Sequence, residues 1–280
     1  MVFRYKKQKC WRVIIENQLL RVTIDQRGVA RLTLNRPDLR NAFNEQLIGD
    51  ICDAMGKLST DSNVRVIVLT GAGKAFSAGA DLNMMSRVAE YSASENKDDA
   101  RRLAHMLRAI YDCPKPTIAL VNGPAIGGGV GIVAATDIVI AAESAFFALT
   151  EVRVGLIPAV ISPFVVRAIN PRQARRYFIT GERFDASKAK DLGLVHMIAM
   201  DAQLEATLEG IIDSVLAGAP QALSAAKNLV QQVAYRDIGD GVMEETADLI
   251  AKTRAGNEGK EGITAFLEKR KPNWIVEKDD

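Results

Sequence analysis

Three consecutive glycines, Gly127, Gly128 and Gly129, interrupt two apolar segments in the stretch VNGPAIGGGVGIVAATDIVIAA, residues 121–142. Glycine loses more backbone freedom on folding than any other residue, so such a run marks a place where something must approach the backbone more closely than a Cβ allows. The flanks say what kind of place it is. TIALVNG (117–123) reads as a strand, the residues after the glycines as a helix, and DIVIAA (137–142) as a returning strand.

The same alternation extends upstream. QLLRVTIDQRGVARLTLN (18–35) alternates apolar and polar residues around DQRG, which predicts a hairpin with Gly28 in its turn. Apolar spacing of three and four at Leu47, Ile51, Met55 and Leu58 predicts a helix from about Asn44. VRVIVLTG (64–71) predicts a strand buried on both faces. Residues 83–98 are polar and irregular, which predicts a mobile surface loop, and a helix then runs to about Asp112, before Pro114 and Pro116. The order hairpin, helix, strand, loop, helix, strand, helix, strand predicts a layered α/β fold. From about Pro171 the pattern turns helical, with LGLVHMIA (192–199) the last strand candidate and helix breaks near Gly239 and Gly256. Three stretches follow: a basic tail (1–17), an α/β core (18–200) and a C-terminal helical region (201–280).

Composition narrows the function. A net charge of +2 over 280 residues creates no field suited to nucleic acid. The most apolar stretch is cut by Asp137 and Glu143, so no membrane span is expected. Cys10, Cys52 and Cys113 are widely separated, which argues against both a disulfide framework and a zinc site. No apolar region follows the basic MVFRYKKQKCWR, and a cytoplasmic location is expected. His105, in a helical pattern, and His196, in an apolar strand, read as structural. AFSAG (75–79) lacks the first glycine of a nucleophile elbow, TGAGKAF lacks P-loop spacing, and GGGVGI has no dinucleotide-binding phase.

Two strand ends remain, LTGAGKAFSAGADL (69–82) and LVNGPAIGGGVG (120–131). Each can aim an unpaired backbone N–H at a ligand, and a helix start adds positive potential. Two such donors on one oxygen make an oxyanion hole suited to a thioester carbonyl becoming an enolate. Close packing of a helix on a sheet explains the glycines equally well in isolation. Taken in order with LNRPDLRNAFN, LTEVRVGLIP and the ending GKEGITAFLEKRKP, these segments resemble the crotonase (enoyl-CoA hydratase/isomerase) superfamily over residues 18–272.

The resemblance implies a crotonase, or ClpP-like, spiral of ββα units, with C-terminal helices that build homotrimers, usually paired into homohexamers. It implies that the Ala80 and Gly128 N–H groups form the oxyanion hole for an acyl-CoA substrate. It further implies coenzyme A contacts at Ala78, Ala80 and Leu82, at Leu39 and Arg40, around Gly127, and at Phe266 and Lys269 of the C-terminal helix, possessed by the same or a neighbouring subunit. No metal or separate cofactor is expected, since coenzyme A arrives as part of the substrate.

Hydratases of this family typically carry two glutamates. One is present as Glu151, the expected acid/base; Gly131 stands in place of the other. Helical residues three apart share a face, so Gly131 is expected to leave an open wall beside the Gly128 donor. One carboxylate suffices for a Δ3,Δ2-enoyl-CoA isomerase, and a non-catalytic acyl-CoA-binding protein is a further alternative. TEVRVGLIPAVISPFVV and INPRQARRYFITGERFDASKAKDLGLVH instead resemble bacterial methylglutaconyl-CoA and isohexenylglutaconyl-CoA hydratases. That favours hydration of a substrate branched at C3, with room supplied by Gly131 and with Arg153 or Arg87 as partner of a substrate carboxylate.

Overall fold

The computed structural model describes residues 11–275. Strands β1 (Arg12–Glu16), β2 (Leu20–Ile24) and β3 (Val29–Leu34) form an antiparallel meander. The predicted hairpin is its β2–β3 half. Gly28 takes a φ of 82° in the turn, and the buried Asp25 carboxylate accepts the N–H groups of Arg27 and Val29, both at 2.9 Å. β1 lies within the stretch expected to be a tail, whose first ten residues, Cys10 among them, lie outside the described residues.

Helix α1 (Glu45–Thr60) begins at Asn44, whose side chain accepts the Leu47 N–H at 2.8 Å, and buries the anticipated Leu47, Ile51, Met55 and Leu58. β4 (Val66–Gly71) is buried throughout, as a central parallel strand must be. The loop expected over 83–98 is instead the site of two helices, α2 (Leu82–Val88) and α3 (Ala93–Tyr111). Asp81 caps the first, and Ser92 with Glu95 forms a reciprocal capping box on the second. Those caps hold a polar, weakly periodic segment in helical form by satisfying its first N–H groups.

The remaining core follows as β5 (Thr117–Val121), β6 (Ala125–Ile126), α4 (Gly128–Ala135), β7 (Ile138–Ala142), β8 (Phe146–Ala148), α5 (Ser162–Ile169), α6 (Pro171–Thr180), β9 (Arg183–Asp185), α7 (Ala186–Asp191) and β10 (Met197–Ala199). The large sheet has the order β1-β2-β3-β4-β5-β7-β10 and is parallel from β3 onward. A small sheet, β6-β8-β9, stands beside it. β5 and β6, then β7 and β8, place one strand in each sheet before a helix returns the chain, which is the expected spiral of ββα units. His196 fits its structural reading: its Nδ1 accepts the Val139 N–H at 3.0 Å, and burial pushes its pKa down.

Four helices close the chain: α8 (Leu204–Leu216), α9 (Pro220–Val233), α10 (Asp240–Ala255) and α11 (Asn257–Leu267), with breaks at the two predicted glycines. α8 packs on β4, β7 and β10. By contrast α9 and α10 bury no residue, and α11 buries Ala265 alone. Polar tethers hold them: Lys227 pairs with Asp137 at 2.8 Å, and Glu258 accepts the Gln221 and Ala222 N–H groups. No helix among the described residues is long and apolar enough to cross a membrane.

Candidate active site

The glycine triplet is where three other parts of the chain meet. A Cβ placed on Gly127 would lie 3.2 Å from Glu151 Oε1, one on Gly128 2.9 Å from the Phe43 ring, and one on Gly129 2.9 Å from the Ser77 carbonyl oxygen. Gly127 also takes a φ of 52°, in the left-handed region. The requirement for three glycines is therefore met by the protein itself, which brings the segments around Phe43, Ser77 and Glu151 onto the start of α4.

Hydrogen-bond accounting isolates two backbone donors there. Gly127 N–H donates to the Ala148 oxygen at 2.9 Å and Gly131 N–H to the Gly127 oxygen at 3.2 Å, whereas Gly128 N–H, opening α4, has no partner among the described residues. On the facing segment, Phe43 N–H donates to Gly79 O at 2.7 Å and Asp81 N–H to Phe43 O at 2.8 Å. These bonds straddle Ala80, whose own N–H is turned away from Phe43 and is also without a partner among the described residues. A Cβ on Gly79 would stand 3.7 Å from the Gly128 nitrogen, so the two segments are in contact. Ala80 is exposed and Gly128 half-buried, so both free donors are open to a ligand, and two on adjacent segments form a receptor for one oxygen.

Glu151 supplies the titratable group. It opens a short 3-10 turn (Glu151–Val154) after β8, with Oε1 against Gly127 and Oε2 buried without a hydrogen-bond partner among the described residues. Burial pushes its pKa above the ordinary carboxylate value, against the smaller opposing effect of its own backbone N–H. A buried carboxylate oxygen without a partner is costly to folding, and beside two free backbone donors it makes Glu151 the candidate acid/base of the site.

A buried polar network holds the Ala80 segment in place. Asn41, fully buried at a φ of 57°, donates to the oxygens of Ala72 and Ala75 at 2.9 and 2.8 Å and accepts the Arg36 N–H at 2.9 Å. Ser77 Oγ donates to Asn41 O at 2.9 Å and accepts the Gly79 N–H at 3.2 Å. Arg36 pairs with Asp81 at 2.8 Å and donates to Ala42 O at 2.6 Å. Burial works against the Asp81 carboxylate, but the Arg36 bond and the Asn83 and Met84 N–H groups together hold its pKa below the ordinary value. None of these four side chains stood out in the sequence as a site residue. Ser77 figured there only as the serine of a defective elbow.

The other expected residues divide. Ala78 N–H donates to Arg40 O at 2.9 Å, which sets Leu39 and Arg40 beside Ala78 and Ala80, and Leu39 and Leu82 are both exposed apolar side chains. Phe266 and Lys269 are not brought to this place within one chain. Their C-terminal segment lies where Arg65, just before β4, donates to the oxygens of Trp274 and Gly218, whereas the site follows the far end of β4. A six-residue strand separates the two by about 20 Å.

Gly131 does not open a wall. A Cβ there would lie 2.5 Å from Ile161 Cγ2 and 3.5 Å from Leu107 Cδ1, so the space beside it is already filled. Arg87 is engaged by Glu45 through bonds of 2.7 and 2.9 Å. Arg153 lies against the end of α6, with Nε 3.2 Å from where a Cβ on Gly181 would be.

Comparison with known proteins places the chain in a family. Residues 25–277 match the enoyl-CoA hydratase/isomerase family. A relative from Thermus thermophilus is 38% identical over 253 residues, covering 90% of this chain and 100% of the relative. The 2,3-dehydroadipyl-CoA hydratase of Escherichia coli is 35% identical over 252 residues, covering 89% and 96%. The crystal structure of an enoyl-CoA hydratase from Shewanella pealeana superposes with a TM-score of 0.88 at 42% identity, covering 91% of this chain and 96% of that one. The chain belongs to the enoyl-CoA hydratase/isomerase family, within the crotonase superfamily.

Proposed function

We propose that this chain is a hydratase that adds water across the α,β double bond of an enoyl-CoA thioester. The observation that carries the reading is the unpartnered, buried Oε2 of Glu151 held against the glycine that precedes the free Gly128 donor. In the proposed reaction the thioester oxygen accepts the Ala80 and Gly128 N–H groups, which stabilise the enolate as it forms. The Glu151 carboxylate takes a proton from water as the hydroxyl oxygen bonds to C3, then returns that proton to C2. One carboxylate performs both transfers, so the site needs no second acid.

The same single carboxylate favours a second reading, proton shuttling between C4 and C2 in a Δ3,Δ2-enoyl-CoA isomerase. Turnover of crotonyl-CoA, 3-methylglutaconyl-CoA and a 3-enoyl-CoA separates the two. Hydration of either 2-enoyl substrate is expected, and turnover of the 3-enoyl substrate alone sinks the hydratase. The more specific expectation, a substrate of the 3-methylglutaconyl type, keeps its support in the sequence of residues 150–196. It loses the room that Gly131 was expected to supply, because Ile161 occupies it.

The proposed assembly, a homotrimer or homohexamer, uses the C-terminal helices. Their support is the exposed apolar set Val230, Met243, Phe266 and Leu267, on helices that bury almost nothing in one chain, with Ile238 exposed in the connection between α9 and α10. A second copy would also have to bring Phe266 and Lys269 to the coenzyme. Sedimentation equilibrium is expected to give three or six copies, and a monomer at micromolar concentration would remove that role for both residues.

A further inference from the structure

Gly127 and Gly131 are one turn apart at the start of α4, with Glu151 against the first and Ile161 against the second. The rise between them is about 6 Å. The catalytic carboxylate and the aliphatic side chain are therefore neighbours along one short segment that also carries the Gly128 donor. Ile161 closes its side almost completely: it is 3% exposed, and Leu107, fully buried, backs the same space. It is also held firmly. Its oxygen accepts the Phe164 and Val165 N–H groups, both at 3.1 Å, and β-branching restricts its χ1.

We infer that Ile161 is the specificity-determining residue for acyl volume, filling from the α5 side the space that a side chain at position 131 would take from the α4 side. This rests on the acyl-CoA reading above. The two positions share one volume, so they must be coupled. Any side chain at 131 collides with a stiff, buried neighbour, and trimming that neighbour releases the same space to the substrate. The atoms nearest a Cβ at position 131 belong to Ile161 and Leu107, both apolar, so neither supplies a second acid beside Glu151.

Binding of the saturated, unreactive butyryl-CoA and isovaleryl-CoA, measured by calorimetry on the intact protein, tests the assignment separately from turnover. Ile161→Ala is expected to shift the affinity ratio toward the branched acyl group by about tenfold, the size of discrimination that a methylene or two supplies in an apolar pocket. Ile161→Val, which disturbs folding least, is expected to shift it in the same direction by less. Gly131→Ala is expected to lower the melting temperature, and adding Ile161→Ala to it is expected to cost less than the two separate losses summed. Binding with a ratio unchanged in both Ile161 variants overturns this inference alone. Failure of the unmodified protein to bind either acyl-CoA overturns the acyl-CoA reading and this inference with it.

Discussion

Glu151→Gln is expected to lower hydration by about 10²- to 10⁴-fold, the usual contribution of a positioned acid/base, while leaving the protein at least as stable at pH 7. The second half follows from the sign of the pKa shift. Burial raises the folded-state pKa of Glu151 above its ordinary value, so the folded protein prefers the protonated form. That contribution to stability is fully present below the unfolded pKa and is lost as pH rises through the folded pKa. At neutral pH the buried carboxylate, with Oε2 unpartnered, is thus a burden, and the isosteric amide removes the charge. Thermal melts at pH 7 and pH 4 should show any advantage of the variant shrinking at the lower pH. In the unmodified enzyme kcat/KM should rise with pH through a pKa above the ordinary carboxylate value. Parallel loss of stability and turnover at pH 7 would instead make Glu151 a structural residue.

What could be read in the sequence beforehand depended on the range of the interactions involved. α1 and β4 were legible because their apolar spacing reflects burial by neighbours already specified, and Glu151 was legible because its local segment is distinctive. α2 and the first turns of α3 were missed over 83–98 because end capping holds them, through Asp81 and the Ser92–Glu95 pair, whereas the buried face of α3 comes later, at Met106, Leu107 and Ile110, within the helix expected to run to about Asp112. β1 was missed because its partner β2 is what makes a strand of an otherwise tail-like, charged segment. β6, β8 and β9 have two or three residues each, too few for any period to show.

The misreading of Gly131 has a different cause. Which face of α4 it lies on is a local property, and helical spacing predicts it. What faces it is Ile161, thirty residues later, placed there by the packing of α5 on α4. An absent side chain signals room only if no other side chain has moved in. The glycine triplet shows the same thing from the other side. The close approach it permits is made by Phe43, Ser77 and Glu151, and the free Gly128 N–H is a consequence of where they hold the helix.

That dependence makes Asn41 the position whose loss should do most harm to the fold and the site together. Asn41→Ala leaves the buried Ala75 oxygen, the half-buried Ala72 oxygen and the half-buried Arg36 N–H without their partner, and puts alanine at a φ of 57°. At roughly 1–3 kcal/mol for each stranded group, partly relieved by relaxation, the expected destabilisation is about 3–5 kcal/mol. The melting temperature should fall by roughly 10 °C. Asn41→Gly removes the same hydrogen bonds but accepts the positive φ, so it should be less destabilised by about 1 kcal/mol, which separates strain from lost bonding. Asn41 spans the segments carrying Arg36 and the 72–79 loop, so the Ala80 donor should lose its placement in both variants. A displacement on the order of 1 Å at a reacting centre costs about 10²-fold in rate. Turnover measured well below the melting temperature should therefore fall at nearly constant KM, because the oxyanion contact strengthens only as charge develops. Unchanged kcat in a folded Asn41→Gly protein would show that the Ala80 N–H is held by the Phe43 bridge alone.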